Sequence, residues 1–126
     1  MTTFHGKEVS EVRHRAVLNT LASGTFTWRN NTGSRVYIQK LDLSPSGTLS
    51  VYVQVNGQYW TQLQQGTGTG IGDSPVALDL VAPFLFNAMN ENEEIEVESN
   101  ATVTVQIASG TGSVQIALVV AEGVEQ

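Results

Sequence analysis

The sequence of 126 residues contains no cysteine. This absence excludes disulfide bonds, zinc sites with thiolate ligands and thiol nucleophiles. Size scaling lets a chain of this length bury about two-thirds of its surface, so a hydrophobic core forms without such cross-links. A hydrophobic content of 40% with 14% charged residues is typical of one folded domain rather than of a disordered chain.

Basic residues are scarce as well, and all six lie within the first forty positions. With Glu8 and Glu11, that part of the chain carries a net charge of +4, whereas residues 41–126 contain ten acids and no base. This polarity predicts a positive patch that meets an acidic surface or a negative patch on a neighbouring copy. The alternative is a chance distribution over a solvated surface. The six bases are Lys7, Arg13, Arg15, Arg29, Arg35 and Lys40.

Long hydrophobic runs are also missing. No apolar stretch is long enough to cross a bilayer, and the polar N-terminal residues lack the apolar core of a signal peptide. A net charge of −6 disfavours general nucleic-acid binding. We therefore expect neither a membrane nor a nucleic acid as a partner.

Alternation of apolar and polar residues is the dominant pattern, and helical spacing has little support. The pattern predicts about nine strands separated by Gly, Asn, Ser and Pro signals, hence an all-β domain, either a β-sandwich or a small barrel. We assign residues 1–14 to an N-terminal arm, residues 15–120 to the β domain and residues 121–126 to a short acidic tail. The clearest alternation is in residues 49–55, 95–98, 103–107 and 114–120.

Three hairpins follow from the requirement that opposed residues point to the same face. Asn56-Gly57 predicts a two-residue type I′ turn, which pairs Val55 with Gln58 and places Trp60 inside. A four-residue loop at 109–112 would pair Ile107 with Val114, and a three-residue loop at 99–101 would pair Val97 with Val103. Both of these registers set apolar residues opposite each other.

Catalytic and metal-binding motifs are not recognisable. The glycine-rich residues 66–72 lack the following lysine and helix of a phosphate-binding loop, and they predict an unusual or mobile loop that is open to contact. His5 and His14 show no zinc spacing, and the glutamates of residues 90–98 lack a calcium-loop pattern, so a solvated strand face is favoured. We predict no cofactor, no metal and no enzyme, although two acids that converge in the fold would leave glycoside hydrolysis open.

Outward aromatic residues are the remaining candidates. Tyr52 and Tyr59 are diagonal neighbours on the outer face of the Asn56-Gly57 hairpin, where they either stack on a sugar, anchor an interface or stabilise the hairpin. Phe4 lies in the arm.

Residues 24–41 (GTFTWRNNTGSRVYIQKL) and 94–105 (EIEVESNATVTV) resemble strands of small jelly-roll proteins in tailed-bacteriophage particles. The whole chain resembles a capsid decoration, or cement, protein. The resemblance implies a jelly-roll-like sandwich on the outer surface of a virion. It further implies a homo-oligomer, most often a trimer, that binds the major capsid protein and bridges its subunits. Neck, tail and fibre-associated phage proteins have sequences of the same general character. The alternative is therefore a module of that kind that binds a glycan or receptor. The predicted interface residues are Phe4, Lys7, Arg13, Arg15, Tyr52 and Tyr59.

Overall fold

The structure is a computed structural model that describes residues 2–4, 6–60, 71–72, 75, 77–80, 83–87 and 95–124. Within these ranges the backbone forms strands and turns, and no helix long and apolar enough to span a membrane occurs. The strands are β1 (Thr2–Phe4), β2 (Lys7–Val9), β3 (Glu11–Leu21), β4 (Thr25–Arg29), β5 (Val36–Ser46), β6 (Leu49–Val55), β7 (Gln58–Trp60), β8 (Ile71–Gly72), β9 (Leu78–Leu80), β10 (Phe84–Asn87), β11 (Glu96–Val97), β12 (Thr102–Gly110) and β13 (Ser113–Val124).

Two antiparallel sheets form the body of the protein. The first sheet has the order β10-β5-β13-β3, with β11 also paired to β5. The second has the order β4-β12-β6-β7-β8, with β9 also paired to β6. The long strands β3, β4, β5 and β6 alternate between the sheets, as do β12 and β13, and this interleaving is the topology of a jelly-roll sandwich. The predicted all-β, jelly-roll-like sandwich is confirmed.

The core lies between the sheets, where the apolar residues of each alternating strand point inward. Trp60 is fully buried and contacts two phenylalanines edge to face, with ring centroids 5.8 Å from Phe84 and 5.1 Å from Phe86. The interior position that the hairpin register predicts for Trp60 is confirmed. Other fully buried side chains include Ile38, Leu41, Leu43, Leu49, Val51, Val53, Leu80 and Leu118.

The Asn56-Gly57 turn also agrees with its prediction. Both residues have positive φ, 56° and 79°, as a type I′ turn requires. Val55 lies opposite Gln58. The Asn56 side chain adds two hydrogen bonds, donating to the Glu96 carbonyl at 2.8 Å and accepting from the Glu98 N–H at 3.1 Å.

The predicted pairing of Ile107 with Val114 is wrong. β12 pairs with β4 and β6, whereas β13 pairs with β3 and β5, so the two strands lie in different sheets. Between them, Gly112 has φ +101°, and a Cβ there would overlap the backbone carbonyl of Ser46. A turn this close to the β5–β6 connection takes the chain across the core instead of back along the same sheet.

The predicted pairing of Val97 with Val103 is wrong for the same reason. Val97 lies opposite Val36 in the first sheet, and Val103 lies between Val55 and Trp28 in the second. Residues that face each other across a core all point inward, and so do the apolar residues that are paired within one sheet. Apolar matching therefore does not distinguish the two arrangements.

The chain termini contribute more strand than alternation indicates. β3 begins at Glu11, where the sequence predicts an arm, because its pairing with β13 continues to the Glu11–Val124 pair. β13 accordingly includes residues 121–124 of the predicted tail. Before β3, the β1–β2 hairpin sets Phe4 opposite Lys7.

Candidate functional site

A groove of about 630 Å³ lies at one end of the sandwich, between the β1–β2 hairpin, the start of β3, the β4–β5 loop and the end of β13. Its lining includes Phe4, Arg13 and Arg15, three of the predicted interface residues, together with Arg35 and Glu122. We call it the arginine groove. The fold thus brings together basic residues that are distant along the chain.

Glu122 is the buried acid of the arginine groove, with 7% of its surface exposed. The Ser34 hydroxyl donates to Glu122 Oε2 at 3.0 Å, and Arg15 Nη2 lies 3.6 Å from Glu122 Oε1. A carboxylate taken out of water is strongly destabilising unless such partners compensate it. Arg15 is therefore held by a fixed acid at the base of the groove, although its own side chain stays half exposed.

The other two arginines pair with exposed acids. Arg13 contacts Glu11 Oε1 through Nη2 at 3.0 Å and Nε at 3.1 Å, and Arg35 Nε lies 3.4 Å from Glu96 Oε2. These two arginine side chains are 57% and 54% exposed, respectively. Exposed pairs of this kind contribute about 0–1 kcal/mol each. Neither pair therefore ties its arginine strongly to the internal acid.

An aromatic pair and a glycine shape the groove beside the hairpin. Phe4 meets Tyr37 edge to face, with ring centroids 5.3 Å apart and an interplanar angle of 82°. A Cβ at Gly123 would lie 2.7 Å from Val9 Cγ1 and 3.1 Å from Phe4 Cδ2. Ser10 donates both its N–H and its hydroxyl to the Val124 carbonyl, each at 2.8 Å. Glycine is thus required for the hairpin to sit this closely on β13.

The β4–β5 loop, which supplies Ser34 and Arg35, is held by the fully buried Asn30. Asn30 Nδ2 donates to the carbonyls of Ser34, Val97 and Glu98 at 2.8, 3.0 and 3.1 Å. Its Oδ1 accepts from the N–H of Thr32 at 3.2 Å and from the Thr32 hydroxyl at 2.8 Å. Sequence reasoning missed Asn30 and Glu122, because nothing local marks either as buried.

Tyr52 and Tyr59 lie on the outer face of the second sheet, away from the residues that line the arginine groove. Their ring centroids are 5.9 Å apart at an interplanar angle of 74°. An edge-to-face contact of this kind is typical of a pair that stabilises a hairpin. Tyr59 lies opposite Gln54 in register, so the predicted diagonal placement of Tyr52 and Tyr59 is confirmed.

Several other predicted features lie outside the described residues, or lie within them without forming a group of side chains that could act as a site. Lys7 lies on β2, and His5 and most of the glycine-rich residues 66–72 are not among the described positions. In residues 95–98, Ile95 and Val97 are buried and the glutamates point outward, as predicted. Across the described part of the chain, no group of three or more His, Asp or Glu side chains is placed to hold a metal ion.

No protein-family model and no curated protein matches the sequence. Among solved structures, the fold is similar to that of a chain from Bacillus endospore appendages, a family of disulfide-linked pili. That chain is 12% identical, with 99% of this chain and 97% of that chain covered and a TM-score of 0.49. The fold is also similar to the major capsid protein P2 from bacteriophage PM2, which is 14% identical, with 91% and 45% covered and a TM-score of 0.42. At these values neither likeness assigns a function to this chain.

Proposed function

We propose that this chain is a structural, non-enzymatic protein of a phage particle. It binds the outer surface of the capsid and stabilises the shell by joining neighbouring major capsid subunits. The phage setting comes from the resemblance of residues 24–41 and 94–105 to phage jelly-roll proteins. The observation that carries the binding role is the arginine groove.

The arginine groove has the features of a contact site for an acidic segment. Three half-exposed guanidinium groups surround one concavity, and each offers a planar fork of donors that matches a carboxylate. Arg15 is held in place by the buried Glu122 before a partner arrives. Phe4 and Tyr37 supply an apolar wall beside them. An acidic loop of a capsid subunit is the partner that this chemistry fits.

Binding of this kind reinforces a shell by mass action. A ligand that binds only the assembled state stabilises it by about 2.7 kcal/mol per site at a hundredfold excess over the dissociation constant. A capsid offers many equivalent sites, so individually weak contacts add up over the particle. Moderate affinity in the arginine groove is therefore sufficient for the proposed role.

The test is co-sedimentation with purified capsids of the phage that encodes this chain. The double variant Arg13→Ala/Arg35→Ala removes two groove arginines whose internal partners are exposed. The loss of two charge contacts should weaken binding by about tenfold. Arg29→Ala is the matched control, because Arg29 is an exposed arginine on β4 that donates to the Asn100 carbonyl at 3.0 Å. Equal occupancy of wild type, control and double variant from about 50 to about 300 mM salt would overturn the proposal.

A second variant asks whether the hairpin takes part. Deleting residues 1–9 removes β1 and β2, with Phe4 and Val9 of the groove wall, and leaves all of β3. Deleting residues 1–14 would instead cut into β3 and confuse binding with folding. We expect the shorter deletion to fold and to be lost from particles on washing. Full retention would exclude the hairpin from the contact.

The alternative function is a neck, tail or fibre-associated module that binds a glycan or receptor through Tyr52 and Tyr59. The observation in its favour is a pair of half-buried tyrosines on an outer sheet face. A glycan array with wild type and Tyr59→Ala tests it. Binding that is lost in Tyr59→Ala supports this alternative, and no binding by either protein removes it.

A further inference from the structure

The long strand β3 lies at one edge of the first sheet. Among the described strands it is paired with β13 alone, and this pairing runs over the whole of β3 without a register shift. The other edge of β3 therefore presents a continuous row of backbone N–H and C=O groups. Natural sheets usually blunt such an edge with a proline, a bulge or a short strand, and β3 has none of these features.

Side chains on both faces of β3 are exposed. On the outer face, Leu18 is 78% exposed. On the inner face, Arg15 and Asn19 are exposed, although their partners on β13, Val120 and Ile116, are buried. This part of β3 therefore lies beyond the cover of the second sheet.

The neighbouring edge of the second sheet is open in the same way. β4 follows β3 after residues 22–24 and is the last described strand of its sheet on that side. Its inward side chains Phe26 and Trp28 are only partly buried, as is Val17 of β3. The core is thus incomplete along this side of the sandwich, where two aromatic rings and a valine stay partly in contact with water.

We propose, on the basis of the proposed function, that the acidic segment of the capsid partner binds as an additional antiparallel strand along the free edge of β3. Such a strand would pair with the free backbone groups and place alternate side chains beside Val17 and Leu18. Charge favours an acidic occupant, because residues 12–21 contain Arg13 and Arg15 and no acid. Both arginines also line the arginine groove, so the added strand would lead directly into it.

The same two arginines make the edge selective. Inward-pointing charges on an edge strand oppose pairing with an arbitrary strand, because covering a charge without a partner is costly. A strand with acids opposite Arg13 and Arg15 supplies that partner, whereas an apolar or basic strand does not. The expected segment therefore has an apolar residue opposite Val17 and an acid opposite each arginine, at alternate positions.

Synthetic peptides of threonine and valine, matched antiparallel to residues 12–20, test this mode of binding with the full chain. One peptide has glutamates opposite Arg13 and Arg15, and its control has lysines at the same positions. We expect the glutamate peptide to bind with a dissociation constant of about 1 mM or below, and the lysine peptide at least about tenfold more weakly, in calorimetric titration. The bound glutamate peptide should also slow hydrogen exchange of the β3 amides that face away from β13.

Two methylated peptides distinguish an added strand from a simple charge contact. Both keep the glutamates, and N-methyl groups block the odd-numbered backbone amides in one and the even-numbered amides in the other. Only one of these sets faces β3 in an added strand. One methylated peptide should therefore lose binding by at least about tenfold while the other keeps it. Equal binding by both, or loss of binding by both, overturns the added strand.

Three other outcomes also overturn it. They are no binding of the glutamate peptide at about 1 mM, equal binding of the lysine peptide, and a chain that dimerises without peptide and protects the same amides, which would identify a second copy as the occupant. Co-sedimentation with capsids remains a separate measurement. Arginine-dependent binding to capsids, together with equal binding of both methylated peptides, would keep the proposed function and remove only the added strand.

Discussion

Replacement of Asn30 by alanine should be among the most destabilising polar substitutions in this protein. The side chain is fully buried and joins the β4–β5 loop to the chain around Val97 and Glu98. Its two amide hydrogens serve three carbonyl oxygens, and its own oxygen accepts from two hydrogens of Thr32. Alanine removes the hydrogen bonds of all four hydrogens, although the Glu98 carbonyl still accepts from the Ala101 N–H and the Ser34 carbonyl from the Thr32 hydroxyl.

The magnitude follows from these contacts. At about 1 kcal/mol net for each of four shared hydrogens, Asn30→Ala should lower the free energy of unfolding by about 3–5 kcal/mol. For a domain of this size, about 4 °C of melting temperature is lost per kcal/mol, so the transition should fall by about 12–20 °C. Asn30→Asp should be at least as harmful, because a carboxylate would then face three carbonyl oxygens.

The assay is urea and thermal unfolding followed by circular dichroism. Asn31→Ala is the control, because Asn31 is the exposed neighbour in the same loop and should change stability by less than about 0.5 kcal/mol. If Asn30→Ala unfolds within about 1 kcal/mol of wild type, the hydrogen-bonded junction does not stabilise the fold and the reasoning fails.

Three further changes test other parts of the structure. Gly112→Ala should lower the free energy of unfolding by at least about 2 kcal/mol more than Gly33→Ala does. Both glycines have positive φ, but only a Cβ at Gly112 meets a backbone carbonyl. Equal losses of stability in thermal unfolding would contradict the clash. Gly123→Ala should leave the melting temperature nearly unchanged but should speed proteolysis of the β1–β2 hairpin, because the added Cβ would push the hairpin away from β13. An unchanged rate of cleavage would mean that the hairpin does not depend on this close contact. Arg15→Ala should destabilise by about 1–2 kcal/mol and Arg13→Ala by less than about 0.5, because only the former leaves a buried carboxylate without its cation, and the reverse order would disprove that role.

Features set by adjacent residues could be predicted from the sequence. Asn56-Gly57 determines its own turn, because the required positive φ values belong to the two residues themselves. The inward side of β6 and the buried position of Trp60 follow from that turn by alternation alone. The jelly-roll class is a larger pattern, and it rests on the resemblance as well as on alternation.

Features set by distant pairings could not be predicted in the same way. Val105 and Ile116 are both inward, yet one lies opposite Val53 and the other opposite Leu43 in the facing sheet. The alternation of apolar and polar residues is the same whether two strands pair in one sheet or face each other across the core. The choice depends on the tight turn at Gly112, whose close contact with the β5–β6 connection appears only in three dimensions.

The residues of the candidate site also differ in whether adjacent residues or distant pairings determine their positions. The sequence predicts Phe4, Arg13 and Arg15 as interface residues because they lie in or next to the N-terminal arm, and the structure places all three around one groove. The sequence assigns Glu122 to a short acidic tail, but Glu122 is buried because β13 continues past it and pairs with β3. Its hydrogen bond to Ser34 spans 88 positions of sequence, a separation at which no local spacing carries information.

The polarity of charge along the chain also takes a different form in three dimensions. The three arginines of the groove are each paired with an acid, and two of these acids, Glu96 and Glu122, come from the acidic remainder of the chain. The excess of positive charge in the first forty residues is therefore largely neutralised where it gathers. The acidic partner proposed above would compete with these internal acids, which stay tethered beside the groove. Because the paired groove carries little net charge, its attraction for that partner should depend on salt less steeply than that of three free arginines.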